Sequence, residues 1–206
     1  MKVLELFCGT KSISKAFKEK GHEVFSIDND PQHNPDLCCD VLALNVNDLP
    51  WIPDVIWASP PCTTFSVASM GHHWGGGKGA YIPKTKEAII GMRLMAKTKG
   101  IILKLKPKLW FIENPRGMMR KMIGLDEYMK TVTYCQYGDK RMKPTDLWSN
   151  ANWTPRPMCK NGSPCHEAAP RGSKTGTQGL KGAKERGIIP VELCREIVKI
   201  CEEQIK

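Results

Sequence analysis

Val55-Ile56-Trp57-Ala58-Ser59-Pro60-Pro61-Cys62 is the stretch whose reading decides the fold. Its first four residues form an apolar run that reads as a buried parallel strand. Each proline then fixes its own φ and biases the residue before it away from helix, so Cys62 leaves the strand on a stiff, extended segment. Strand ends are where open α/β sheets place reactive groups. A second apolar run, Leu109-Trp110-Phe111-Ile112, ends in the same way in Glu113-Asn114-Pro115, fifty-one residues after the cysteine. A nucleophile and an acid, each leaving the carboxyl edge of such a strand, outline a reaction centre.

Outward from these two runs, strand and helix signals alternate through the first 115 residues, the pattern of a parallel sheet with crossover helices. Residues 3–7, 23–27, 36–41, 55–58 and 109–112 are expected as strands, with helices at 12–20 and 86–105. In the second helix Ala88, Ile89, Met92, Met95, Ala96 and Ile102 recur near the helical period. A glycine-rich loop is expected over 60–82, and 132–137 alternates like a further strand. From 150 to 187 Pro, Gly, Ser, Lys and Arg dominate and periodicity is lost. Ile189-Pro190 then opens a last helix whose Leu193, Ile197 and Ile200 form an apolar stripe. The expected class is α/β, with a Rossmann-like sheet and helices on both faces. The expected organisation is a main domain at 1–150, a short basic, loop-rich insert at 151–187, and a helix at 188–206 that packs back on the main domain.

A length of 206 residues suffices for a substantial core. No apolar run approaches a membrane span, and the amino-terminal stretch lacks the apolar centre of a secretory signal. Nine cysteines are an odd number at scattered spacing, which argues against a disulfide framework and for a reducing, cytoplasmic setting. The formal charge of +10 arises from 31 basic and 21 acidic residues. The basic residues crowd into 93–108, 116–143 and 156–186, flanking the two strand ends, so a nucleic-acid partner is expected. A monomer is expected, although the sequence carries no direct mark of oligomeric state.

Leu4-Glu5-Leu6-Phe7-Cys8-Gly9-Thr10 runs a strand into a glycine turn ahead of a helix, where backbone N–H groups can receive an anionic or polar cofactor. Asp28 closes the next strand where an acid reaches ribose hydroxyls, and Asp40 follows on the same edge. Both acids are equally readable as ordinary turn caps.

With these residues in view, the chain resembles the cytosine-C5 DNA methyltransferases, as a compact member with a reduced target-recognition segment. Phe7-Cys8-Gly9-Thr10 is similar to the family's first cofactor motif, Asp28-Asn29 to its second, and Asp40-Val41 to its third. Pro60-Pro61-Cys62 resembles the catalytic motif, and Glu113-Asn114-Pro115 the glutamate motif, which usually reads Glu-Asn-Val. Gln136-Tyr137-Gly138 through Arg141 and Lys143 looks like a shortened basic motif, and Ile189-Pro190 with the last helix like the final one. The resemblance implies S-adenosylmethionine as cofactor, bound by Phe7, Cys8, Gly9, Thr10, Asp28, Asn29, Asp40, Val41 and Pro60. It implies DNA as substrate and catalysis by three residues. Cys62 would attack carbon 6 of a flipped-out cytosine, Glu113 would protonate N3, and Arg141 would contact O2. Lys143, Arg171 and Lys174 would bind nucleic acid. The same chemistry on RNA, transfer of a modified methyl group from an altered cofactor, and a non-catalytic binding protein are the rival readings.

The chain departs from the family's pattern in three places. Lys11 stands where another glycine is usual and either pairs with the cofactor's carboxylate or points to solvent. The insert is short, which argues against long sequence readout. Within it, Cys159, Cys165 and His166 suggest a zinc knuckle, but no fourth ligand is evident, so no metal is assigned. The plainer account of the insert is a basic arm that tracks phosphates.

Overall fold

The computed structural model of the chain describes residues 1–76, 79–167 and 182–205. Its elements in order are β1 (Lys2–Leu6), α1 (Ser12–Glu19), β2 (Glu23–Asp28), β3 (Leu37–Cys38), β4 (Val55–Ala58), α2 (Met70–His73), β5 (Trp74–Gly75), β6 (Ile82–Pro83), α3 (Lys86–Leu105), β7 (Leu109–Pro115), β8 (Met129–Thr133), β9 (Pro144–Ser149), α4 (Ala183–Gly187) and α5 (Val191–Gln204). Seven strands make one sheet in the order β3-β2-β1-β4-β7-β9-β8, with β9 antiparallel to both of its neighbours and the other pairings parallel.

Alternation along the central strands sorts their side chains to two cores. Val3, Val55, Trp57, Leu109 and Phe111 join Ile13 and Phe17 of α1 and Leu193, Ile197 and Cys201 of α5 on one face. Leu4, Leu6, Ile56, Ala58 and Ile112 join Leu94, Met95 and Ile101 of α3 on the other. Because both faces are covered, these strands are apolar at nearly every position, which is why they could be read from sequence. The result is a Rossmann-like sheet flanked by helices. Among the described residues, no helix is long and apolar enough to cross a membrane.

Register fixes the functional edge. Leu6 pairs with Ile27 and with Ala58, and Ala58 pairs with Ile112. Phe7, Asp28, Ser59 and Glu113 are therefore the next residues along four adjacent strands, all at the carboxyl edge.

Three expected elements are corrected. The strand expected at 36–41 shrinks to Leu37–Cys38, because the Asp36 carboxylate accepts hydrogen bonds from the Ser26 backbone N–H at 2.8 Å and its hydroxyl at 2.5 Å instead of extending the ladder. The strand expected at 132–137 ends at Thr133, and Tyr134–Tyr137 winds into a 3₁₀ turn that closes at Gly138 in the left-handed conformation. The loop expected over 60–82 contains α2 and a two-stranded ribbon of β5 and β6.

Candidate active site

The turn after β1 is strongly bent: Phe7, Gly9 and Lys11 all have positive φ. Gly9 directs its backbone N–H to Asp28 Oδ2 at 2.9 Å, and the other Asp28 oxygen accepts from Asp30 N–H at 3.0 Å. Asp28 therefore shapes the glycine turn from the neighbouring strand, and it is buried while doing so. Asp40 is exposed and caps its own turn through Leu42 N–H at 2.9 Å, whereas the Val41 side chain is buried in the α3-side core. Asn29 is exposed. The Lys11 ammonium donates to the Asn34 carbonyl in an exposed contact.

A cleft of about 540 Å³ adjoins this turn, lined among others by Gly9, Thr10, Lys11, His33, Lys184 and Ile188. That size suits a small-molecule site. Cys62 and Glu113 lie outside it, as does Asp28.

Beneath the turn lies a residue that sequence reasoning missed. Glu5 of β1 points into the α1 side, where the Ser14 N–H donates to it at 3.1 Å and the Ser14 hydroxyl also hydrogen-bonds to it. Burial pushes its carboxyl up to about 7, against the lowering effect of those hydrogen bonds. Burial, reinforced by Glu5 and Asp28, pushes the Cys8 thiol up to about 12, so Cys8 is a packed side chain and not a nucleophile.

The two strand ends that carry Cys62 and Glu113 are bound together. The Asn114 side chain donates to the Pro60 carbonyl at 2.8 Å in a buried contact, linking the residue after the acid to the segment that presents Cys62. Further along, Met118 N–H donates to the Phe65 carbonyl at 2.7 Å, and Ser66 pairs with Gly117. A Cβ on Gly117 would lie 2.1 Å from that carbonyl, so glycine is what permits the close approach. Glu113 is buried and accepts a hydrogen bond from the Tyr134 hydroxyl at 3.1 Å. Burial first, and the Glu113 charge second, push the Cys62 thiol above its ordinary value, while Lys143 opposes them. Burial lowers Lys143, with the Glu113 and Cys62 charges pulling it back up. Cys62, Glu113 and Lys143 thus form one electrostatic cluster.

Near that cluster, Arg141 and Lys143 make contacts that the sequence did not lead one to expect. Arg141 is bound to Asp139 through Nε at 2.9 and 3.0 Å and through Nη2, and donates to the carbonyls of Glu185 (3.1 Å), Arg186 (3.3 Å) and Ile188 (3.1 Å). Its guanidinium is spent clasping the 139–141 turn to the segment before α5, which leaves no free donor edge for a base. Lys143, expected on phosphates, lies 4.5 Å over the Tyr134 ring with its ammonium on the Arg186 carbonyl at 2.8 Å, close enough to Glu113 and Cys62 to feel their charges. Arg171 and Lys174 lie outside the described residues. Cys159, Cys165 and His166 do come together, and Cys135 joins them as the fourth potential ligand that the sequence did not reveal.

This edge, on this sheet, defines the class: a Rossmann-like methyltransferase. The family model of the C-5 cytosine-specific DNA methylases matches residues 1–137, and the chain belongs to that family. A Frog virus 3 protein named "Probable DNA (cytosine-5)-methyltransferase" is 31% identical over 219 residues, covering 98% of this chain and 100% of the viral one. Among solved structures, the Entamoeba histolytica methyltransferase EhMeth superposes with a TM-score of 0.53 at 14% identity, over 72% of this chain and 52% of that one. The chain thus spans about half the length of that solved relative, whose likeness concerns the fold.

Proposed function

We propose that the protein methylates carbon 5 of cytosine in DNA through a covalent adduct between Cys62 and carbon 6 of a base rotated out of the duplex. The observation that carries this reading is the buried Asn114–Pro60 hydrogen bond, which fastens the thiol-bearing loop to the acid-bearing strand with Lys143 beside both. Carbon 5 of cytosine is a poor nucleophile until a thiolate adds at carbon 6. With Glu113 ionised, Cys62 is held as the thiol. Moving that proton to the Glu113 carboxylate yields a thiolate and a carboxylic acid together, and removes the charge that opposed the thiolate.

As sulfur attacks, Glu113 donates the proton to N3, where negative charge is developing, and returns to the carboxylate. The Tyr134 hydroxyl holds that carboxylate in place. Lys143 offsets charge on the sulfur and, in place of Arg141, is the cation available to the ring. S-adenosylmethionine, for which the Gly9 turn and the adjoining cleft form a fitting cradle, would supply an electrophilic methyl group to carbon 5. Loss of the carbon-5 proton to water then returns its electron pair to the C5–C6 bond and expels Cys62 as thiolate, while N3 gives its proton back to the Glu113 carboxylate.

Arg171 and Lys174 are proposed to bind phosphates beyond the reaction centre. The deciding experiment incubates the protein with labelled S-adenosylmethionine and, separately, duplex DNA, single-stranded DNA and tRNA, followed by nucleoside analysis. Label in 5-methyldeoxycytidine supports the reading. Label confined to tRNA would replace it with the RNA reaction, and no label in any polymer would favour a binding protein.

A further inference from the structure

Residues 158–167 form a loop without a core of its own. Met158 is exposed, and Cys159 is the one residue of the ten that is buried. Loops so poor in apolar contacts keep a defined shape only with a staple. Two backbone N–H groups tie this one down: Cys159 N–H to Thr133 Oγ1 of β8 at 2.9 Å, and Glu167 N–H to the Lys140 carbonyl in the loop before β9 at 2.9 Å. Between them the chain reverses at a turn where Ser163 N–H donates to the Lys160 carbonyl and Gly162 takes φ +85°, a conformation that suits glycine. The reversal carries Cys165 and His166 back onto Cys159, directly over Cys135 in the Tyr134–Tyr137 turn.

The ligand atoms of Cys135, Cys159, Cys165 and His166 all lie within 4.8 Å of one another. His166 Nδ1 is 3.5 Å from Cys159 Sγ and 3.7 Å from Cys165 Sγ. With zinc–sulfur bonds of about 2.3 Å and zinc–nitrogen bonds of about 2.0–2.1 Å, a tetrahedral ion separates sulfur from nitrogen by about 3.6 Å and sulfur from sulfur by about 3.8 Å. Both sulfur–nitrogen distances already match. The Cys159 and Cys165 sulfurs, 3.1 Å apart, need to open by about 0.7 Å. The Gln136 side-chain amide approaches Cys165 Sγ at 3.7 Å, the kind of outer-shell donor that orients a thiolate ligand.

We propose that Cys135, Cys159, Cys165 and His166 bind one structural zinc ion, which fastens the short insert to the turn that leads into Arg141 and Lys143. Three sulfurs and one imidazole nitrogen are a soft, four-coordinate set suited to zinc, and with all four positions supplied by the chain the site is closed to substrate. The rival product of this geometry, a Cys159–Cys165 disulfide, would give no role to the convergence of Cys135 and His166. The zinc assignment stands on these four residues alone and does not depend on the methylation chemistry.

The test uses the full-length chain, expressed with added zinc and purified under reducing, chelator-free conditions. Metal analysis should find one zinc per chain, and cobalt(II) exchanged into the site should show the intense visible bands of a tetrahedral ion together with thiolate charge transfer. Losing a ligand should weaken zinc binding by more than the 10–100-fold typical of losing an outer-shell partner, about 10²-fold or beyond. Cys165→Ser and His166→Asn change exposed or half-buried positions and should stay folded by circular dichroism, which keeps the test decisive if Cys135→Ser does not fold. Cys38→Ser, at an exposed cysteine in β3, should retain full zinc. Folded wild-type protein that takes up no zinc, zinc retained in full by Cys165→Ser and His166→Asn, or a Cys159–Cys165 disulfide under reducing conditions would each overturn the assignment.

Discussion

Replacing Arg141 by alanine separates a clasp from a catalytic contact. In the structure the Arg141 side chain is 6% exposed and its partner Asp139 14%. Truncation leaves the Asp139 carboxylate without its cation and strips the donor from three carbonyls between Glu185 and Ile188. Removing one partner of a buried pair costs about 3–5 kcal/mol, because the remaining charge stays desolvated. For a chain of this size each kcal/mol lowers Tm by about 2–4 °C, so a fall of roughly 6–20 °C is expected in thermal unfolding. Asp139→Ala added to Arg141→Ala should recover part of that loss, since the orphaned charge is gone. The pair also sets a pH dependence. Burial raises the Asp139 carboxyl, but the Arg141 hydrogen bonds outweigh it and hold it below the usual range. The stabilisation is therefore present above the unfolded carboxylate's pKa of about 3.9, and is lost as pH falls through the depressed folded value. An Arg141→Ala protein that melts within about 2 °C of wild type, a shift worth under roughly 1 kcal/mol, yet has lost its activity would refute this reasoning and restore the base-contact role.

Three further outcomes follow from the same geometry. Alkylation of Cys62 by iodoacetamide, followed against pH by peptide mass spectrometry, should shift to lower pH in Glu113→Gln, which removes an opposing charge, and to higher pH in Lys143→Met; an unmoved profile in both would dissolve the cluster. Glu5 keeps its proton in the folded state up to about pH 7, whereas the unfolded chain loses it near 4.5. Its contribution is therefore full below pH 4.5 and declines by about 3 kcal/mol as pH rises through 7. Urea unfolding of Glu5→Gln at pH 5 and pH 8 should show that decline largely abolished, and an unchanged decline would place its origin elsewhere. Arg171→Ala with Lys174→Ala should weaken binding to all DNA sequences alike and lower the salt slope by about 0.9 for each phosphate no longer neutralised, whereas a changed site preference would mean that the insert reads bases.

The parts of the fold legible in the sequence are those whose pattern is local. β1, β4 and β7 are buried on both faces, so their apolar runs announce themselves, and α3 carries its period across twenty residues. β9 was missed because its buried positions include Thr145, Asp146 and Ser149. Asp146 tolerates burial only because Arg120, twenty-six residues away, donates to it at 2.9 Å and Thr131 of β8 adds another hydrogen bond at 2.9 Å. No local pattern encodes a partner at that distance. The 3₁₀ turn at Tyr134–Tyr137 was misread because its aromatic residues suit a strand equally well, and Gly138 was the available sign that the chain turns there. For the site, the placement of Cys62 and Glu113 just beyond adjacent strand ends was readable from the apolar runs that precede them. The different surroundings of Arg141 and Lys143 were not, since two basic residues two positions apart differ only in what the segment before α5 brings to each. Cys135 escaped for a similar reason, with twenty-three residues separating it from Cys159.

The central claim, covalent attack by Cys62, is tested most directly with duplex DNA carrying 5-fluorocytosine, incubated with the protein and S-adenosylmethionine. Fluorine at carbon 5 cannot leave as a proton does, so the adduct cannot resolve. A denaturation-resistant protein–DNA complex should form, peptide mapping should place the cross-link on Cys62, and Cys62→Ser should form none. Trapping that persists in Cys62→Ser, or methylation of ordinary cytosine by that variant, would contradict the account.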